Sequence, residues 1–407
     1  MSSPCHALRP DATLERMKWS RLPPWLSAVT PALAWLILLA ASARGAAEPT
    51  FIVIGGGLRD DNQSIYRELL THHRTGTIVI VPFASADPAQ AATRAAERFR
   101  AHRADARILT LPDPLAGDEA ATTACEYLAQ ADLVYFTGGD QSRITRRLLA
   151  DGTPGPILHA LRNVAEQRNL VIGGTSAGCA VMSDPMFTGG GSESALADLP
   201  ATDGESEPDE PAARGVRLGQ GLGLIPGVIL DSHFPERGRY GRMVAALQHA
   251  GFRFGLGVAE NRALRVTGRT FTAIGDAAAL LVDVGDLARE GPSRRGVRLS
   301  LLSHGDTFTL FPEPGHPHLT TTATRVERLP TPAPDAPDGT PWDRNVILTL
   351  ITRLASDPVS PQRAASERFE VVLSADERTA FAWRDNDPAT LRVFNARLDI
   401  LARQPAP

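Results

Sequence analysis

A serine stands at the apex of Gly173-Gly174-Thr175-Ser176-Ala177-Gly178, between the apolar run Leu170-Val171-Ile172 and the small apolar stretch Cys179-Ala180-Val181-Met182. A buried strand that runs into a sharp turn and then a helix is the context in which G-x-S-x-G presents a nucleophile. Gly174 and Gly178 permit a strained turn and close helix–strand packing, which side chains would block. The turn exposes the Ser176 hydroxyl and aims the first N–H groups of the helix at a developing oxyanion. The chemistry implied is attack on a carbonyl.

Such a hydroxyl needs a general base, most often histidine. His72, His73 and His102 sit among Arg or polar residues on helices, His159 and His249 are also helical, and His304, His316 and His318 fall in late loops. His233 differs: it ends the apolar strand of Leu230-Asp231-Ser232-His233-Phe234, where a parallel-sheet site collects its residues. A carboxylate should orient its imidazole. Glu260 ends the next strand pattern (Gly255 to Glu260), and Asp231 shares a strand face with position 233. Glu260 is preferred as the orienting acid and Asp231 as a substrate or supporting group, with the reverse left open. Arg237, Arg239 and Arg242 follow closely and are suited to bidentate recognition of substrate carboxylates. Gln141, at the Gly138-Gly139 turn, is placed to hold a peptide group or carboxylate. The N–H groups of Gly139 and Ala177 are the candidate oxyanion hole. Cys179 lies nearly a full helical turn beyond the apex and reads as core.

The elements that position these residues alternate. Strand-like runs at Phe51 to Ile54, Thr77 to Phe83, Arg107 to Leu111, Leu133 to Thr137 and Leu170 to Ile172 are separated by helical patterns, among them Ala89 to Ala101, Glu119 to Gln130 and Gln141 to Leu149. Short apolar strands separated by helices predict βαβ units, hence an α/β fold with a mostly parallel sheet whose ligands sit beyond the strands' carboxyl ends. Gly138-Gly139-Asp140-Gln141 and the serine turn both lie at such ends. Gly55-Gly56-Gly57 lacks the third spaced glycine of a dinucleotide fingerprint and reads as a tight turn at the crevice edge. Residues 187–218 read as an acidic surface loop, strongest at Asp203-Gly204-Glu205-Ser206-Glu207-Pro208-Asp209-Glu210. Later short strands, from Val228 to Leu310, look like hairpins extending the same sheet. Pro330 to Pro341 is a linker, and Trp342 onward an extension that packs on the main domain.

At 407 residues with 43% hydrophobic and 22% charged residues, the chain is an ordinary globular protein with room for one large α/β domain and an appendage. A formal net charge of -4 gives no reason to expect nucleic acid as a partner. Residues 1–47 read as a secretory signal peptide: a basic Met17-Lys18-Trp19-Ser20-Arg21, with Met17 the preferred start, then a nearly uncharged run from Trp25 to Ala41, then small residues. A secreted or periplasmic location follows, with no stable membrane anchor after cleavage. Export would remove Cys5, and Cys125 and Cys179 read as buried small residues, not as a bridged pair.

Six stretches together resemble cyanophycinase and the wider serine-peptidase family that includes aspartyl dipeptidase: Phe136 to Gln141, Gly174 to Gly178, Gly221 to Leu224, Asp231 to Phe234, Arg237 to Arg242 and Gly257 to Asn261. The resemblance spans about Phe51 to Leu310 and is best to secreted, C-terminally extended members. It implies a flavodoxin-like, class I glutamine amidotransferase-like three-layer sandwich. It also implies a Ser176, His233 and Glu260 triad, with Gln141, Asp231, Arg237, Arg239 and Arg242 around the substrate. The substrate implied is cyanophycin, a poly-aspartate backbone with arginine on each β-carboxyl, trimmed from its C-terminus to β-Asp-Arg dipeptides. No metal or nucleotide is called for, and a homodimer is left open. Cys179 departs from the family's usual alanine, and the long acidic loop before Gly219 leaves specificity open. A dipeptidase for Asp-X or isoaspartyl peptides, or a non-catalytic binder of anionic peptides, are the alternatives.

Overall fold

The computed structural model describes residues 48–71, 76–197, 215–310, 318–329, 332–384 and 387–404. The expected signal peptide, His72, His73, His316 and the acidic run at 203–210 lie outside these residues.

Five short runs rich in β-branched and apolar residues form the parallel part of a first sheet: β1 (Thr50–Ile54), β2 (Thr77–Val81), β3 (Arg107–Thr110), β4 (Leu133–Phe136) and β5 (Val171–Thr175). β1, β2 and β4 are buried along their whole length, as strands covered by helices on both faces must be. Side chains alternate between the faces. Ile52, Ile80 and Tyr135 pack against α1 (Gln63–Leu69) and α2 (Pro88–His102) through Tyr66, Leu69 and Phe99. Val79, Val134 and Phe136 face α3 (Asp118–Ala129), α4 (Gln141–Leu148) and α5 (Pro156–Gln167) through Leu128, Ile144 and Leu161. The three layers are those expected. Strand order β3-β2-β4-β5-β1 makes the chain leave β2 and β4 in opposite directions across the sheet, which opens a crevice at their carboxyl ends.

Beyond β1 the first sheet turns antiparallel through β10 (Ala263–Thr267), β11 (Thr270–Ile274), β14 (Thr307–Thr309) and β15 (His318–Thr320). The other late strands do not extend it, contrary to expectation. β8 (Ile229–Asp231), β9 (Phe254–Val258), β12 (Ala279–Asp283) and β13 (Ser293–Leu302) open a second sheet. One face, with Leu230, Leu256 and Leu281, shares a core with Leu264, Val266 and Phe271 of the first sheet. The opposite face is covered by α8 (Tyr240–Ala250) and α9 (Val346–Ser356) through Met243, Leu247, Leu350 and Leu354.

Nor is the tail an appendage on a finished domain. It supplies β16 (Gln362–Ala365), β17 (Phe369–Ser374), β18 (Ala380–Arg384) and the 16-residue β19 (Asp387–Ala402). β19 lies between β13 and β17, where Leu398 pairs with Val297 on one side and Leu373 on the other. The loop expected over 187–218 is also partly structured: β6 (Met186–Gly189) pairs with β7 (Arg217–Gly219), and α7 (Ser192–Ala197) stands between. Buried Phe187 and Leu196 anchor these pieces, outweighing the polar composition around them. Cys179 is a free buried thiol, so Cys125 and Cys179 are not bridged to each other.

Because Leu398 has 0% exposure at the centre of the second sheet, Leu398→Ala is expected to lower stability by about 2–5 kcal/mol, read from the urea midpoint. A tail that merely docked on a complete domain would leave that midpoint unchanged.

Candidate active site

Ser176 follows β5 directly, with φ of 55°, a region that residues with a Cβ rarely occupy. The turn is held by close approach: a Cβ on Gly174 would lie 2.2 Å from the Gly178 carbonyl, and one on Gly178 would lie 2.5 Å from the Phe136 carbonyl. The Ser176 N–H donates to the Ile54 carbonyl at 3.0 Å, which ties the apex to the end of β1. α6 (Ala177–Ala180) begins at the next residue, so the Ala177 N–H belongs to the first turn, whose donors have no intrahelical carbonyl. Gly139 comes from the β4 loop with φ of 143°, and any side chain there would strike the Ala84 carbonyl after β2.

His233 and Glu260 arrive from the second sheet. His233 lies just beyond β8, and its N–H donates to the Gly55 carbonyl at 2.7 Å, which bolts one sheet to the other. Its Nε2 is 2.9 Å from Ser176 Oγ, and its Nδ1 is 2.8 Å from Glu260 Oε1. Hydroxyl, imidazole and carboxylate thus form one hydrogen-bonded chain, the arrangement that activates a serine. Burial pushes the imidazole below its ordinary range, and Arg237 and Arg239 add to this, outweighing the opposing Glu260 hydrogen bond. His233 is therefore neutral at neutral pH and able to accept a proton. Burial alone would raise the Glu260 carboxyl, but His233 and then Arg344 hold it below its usual value.

Of the two roles expected for Asp231, substrate contact or support, its surroundings favour support, although it also borders the hollow beside Ser176. It is fully buried, and both of its oxygens are taken. Arg242 donates through Nε at 2.8 Å and Nη2 at 2.7 Å, Arg239 through Nη1 at 2.9 Å, and Ser232 through its N–H at 2.9 Å. Burial would raise this carboxyl, yet Arg242 and Arg239 hold it below its ordinary value. Asp231 positions the arginines, because a buried carboxylate must be neutralised within the fold. Arg242 also donates to the Gly190 carbonyl and stacks over Phe187, so it is largely committed to the protein. Arg239 and Arg242 are buried and Arg237 is exposed; all three, with Gln141, line the hollow that contains Ser176 and His233. The Gln141 side-chain amide donates to the Phe187 carbonyl, which fixes β6 as a wall of that hollow.

Gly55-Gly56-Gly57, read as a tight turn at the crevice edge, backs His233 and Glu260: a Cβ on Gly56 would lie 2.2 Å from the imidazole, and one on Gly57 would lie 3.3 Å from Glu260 Cβ. Two contributors went unread in the sequence. Glu236 accepts the Glu260 backbone N–H at 3.1 Å, and burial pushes its carboxyl up. Arg344, from the tail, sits 3.4 Å from Glu260 Oε2. The Asn345 N–H binds the Pro235 carbonyl nearby, and Trp342 packs so tightly on Gly238 that a Cβ there would clash. Nothing in the local pattern around Arg344 marks it. Cys179 is no rival nucleophile, since burial pushes its thiol far above the usual range.

A parallel-sheet α/β fold carrying a serine at a strand-to-helix elbow, with these neighbours, defines a serine-type peptidase. The model of peptidase family S51 matches residues 51–274, and the chain belongs to that family. A cyanophycinase of Geminocystis herdmanii is 32% identical over 271 residues, covering 63% of this chain and 92% of that protein. A second, from Trichormus variabilis, is 31% identical over 282 residues, covering 65% and 87%. Among solved structures, a peptidase from an acI-B1 Actinobacterium aligns over 66% of this chain and all of its own, at 17% identity and a TM-score of 0.46.

Two outcomes test this geometry. Gly56→Ala forces a side chain onto the imidazole and is expected to lower kcat at least about 100-fold, with the circular dichroism spectrum unchanged. Asp231→Ala leaves two buried guanidinium groups without their carboxylate and is expected to cost about 3–5 kcal/mol in urea unfolding.

Proposed function

We propose that this chain is an exported serine exopeptidase that hydrolyses cyanophycin to β-Asp-Arg dipeptides. The observation that carries the reading is the chain of contacts from Ser176 Oγ to His233 Nε2 at 2.9 Å and from His233 Nδ1 to Glu260 Oε1 at 2.8 Å. Ser176 Oγ attacks the scissile carbonyl carbon while His233 Nε2 takes the hydroxyl proton. The Gly139 and Ala177 N–H groups stabilise the oxyanion, and Glu260 stabilises the imidazolium. Collapse breaks the C–N bond as His233 returns the proton to the leaving amine. Water, activated by the same imidazole, then releases the acyl group and restores the serine. Similarity to cyanophycinases supports the substrate, and the lining by Arg237, Arg239 and Arg242 supports a carboxylate-bearing peptide. The leader-like residues 1–47 support export to the periplasm or medium.

A second reading, an Asp-X or isoaspartyl dipeptidase, gains from the commitment of Asp231 to Arg239 and Arg242. Without Asp231, the guanidinium of a β-Asp-Arg unit must find another acid, whereas a bare aspartyl peptide needs only the arginines. Incubation with cyanophycin and with a panel of such peptides, read by mass spectrometry, separates the two.

Ser176→Ala is expected to abolish both hydrolysis and labelling by a fluorophosphonate probe, and equal activity in the variant would reject the mechanism. Because the His233 pKa is lowered in the folded protein, the base is neutral above that value and protonated below it. The acid limb of kcat/KM is therefore expected to have its midpoint below pH 6.5, the ordinary histidine value.

A further inference from the structure

Ser176 sits at the carboxyl end of β5, an interior strand of the first sheet, so both faces of that sheet end beside it. The arginine-lined hollow lies on the face of Phe136 and Ala177. On the other face, above Tyr135, lies a separate cavity of about 210 Å³. Gly138 and Thr175 form its inner wall, and these flank the oxyanion donor Gly139 and the nucleophile itself. Its floor holds the buried polar side chains of Tyr66, Tyr135 and Thr137. Tyr66 is 2% exposed, and its hydroxyl has no hydrogen-bond partner among the described residues. Such a group is costly to leave unpaired, and a bound ligand is one way to satisfy it.

The rim is one face of α2. Gln90, Arg94 and Arg98 recur every four residues and all border the cavity. Arg98 is ion-paired with Asp60 at 2.7 Å. Arg94 has no carboxylate partner among the described residues and is exposed. Guanidinium, carboxamide and phenol groups around one cavity are the donors that a carboxylate takes.

We propose that this cavity is a second substrate subsite, which takes a free carboxylate of the peptide on the opposite side of the scissile bond from the Arg237, Arg239 and Arg242 hollow. The proposal rests on the reading that Ser176 is the nucleophile. An arginine joined through its amino group to an aspartate β-carboxyl keeps its own carboxylate, so the branches of the proposed polymer supply the required group. Arg94 then selects substrate by charge, and the substrate crosses the carboxyl ends of the strands with its scissile carbonyl over Ser176.

The test uses a β-Asp-Arg oligomer and the same oligomer with its carboxylates amidated, bound to full-length Ser176→Ala protein in a calorimeter. Adding Arg94→Gln is expected to weaken binding of the free-acid oligomer by roughly tenfold and to leave the amidated one unchanged. With Ser176 intact, Arg94→Gln is expected to raise KM by a similar factor with kcat within about twofold, while Arg94→Lys recovers part of the loss. Unchanged fluorophosphonate labelling shows that the nucleophile is undisturbed. Equal affinity of both proteins for the free-acid oligomer overturns the subsite, as does an equal loss for the amidated one. If the wild-type protein binds the oligomer in an Arg94-dependent way but neither cleaves it nor takes the label, the hydrolytic reading fails, the role as a substrate subsite falls with it, and only carboxylate binding at the cavity stands.

Discussion

The buried Asp231 carboxylate is the interaction on which the site depends. It ends β8 and is gripped by Arg239 and Arg242, which lie eight and eleven residues farther along the chain. Those bonds fold the intervening segment back on itself, and His233 projects from that fold with φ of 48°. Breaking such a cluster is expensive, because each unpaired charge would stay largely buried. One carboxylate against two guanidinium groups also leaves net positive charge beside Ser176. That excess favours an anionic substrate and helps keep His233 neutral.

A second constraint is how closely backbones approach at this crevice. Ser176 belongs to the first sheet, while His233 and Glu260 belong to the second. The sheets are joined where the His233 N–H meets the Gly55 carbonyl and the Asn261 N–H meets the Gly56 carbonyl. Contacts this short leave no room for a Cβ at Gly55 or Gly56. The glycines therefore set the distance from imidazole to serine as directly as His233 and Ser176 themselves do. Asn261 adds to this, since its side-chain oxygen accepts from the Arg59 N–H and from Asn62 Nδ2 at the start of α1.

The tail makes both constraints more rigid. β19 completes the sheet that carries His233 and Glu260, and the segment at 342–345 presses on the loop between His233 and Arg239. The Arg344–Glu260 contact is long and mostly exposed, so its effect on overall stability is small. Its local effect is on charge, helping to hold Glu260 ionised opposite the imidazole.

Much of this was legible in the chain because the relevant signals are local. Runs such as Ile78 to Val81 can only be buried strands, a serine between Gly174 and Gly178 can only sit in a tight turn, and His233 and Glu260 each end an apolar strand. Those patterns point to the α/β layers and to Ser176 and His233 without any knowledge of distance, and leave the carboxylate partner open between Glu260 and Asp231. The sheet to which each late strand belongs was not legible, since short apolar strands like Ile229–Asp231 and Ala263–Thr267 look alike and pairing partners are chosen by packing across the whole core. For the same reason β19 and Arg344, more than 80 residues beyond Glu260, carried no mark of their place. The sequence by itself determined which groups could do the chemistry. Only the tertiary structure decided that Asp231 serves Arg239 and Arg242, because a carboxylate's role depends on what lies within hydrogen-bond reach, and that is a property of the assembled core.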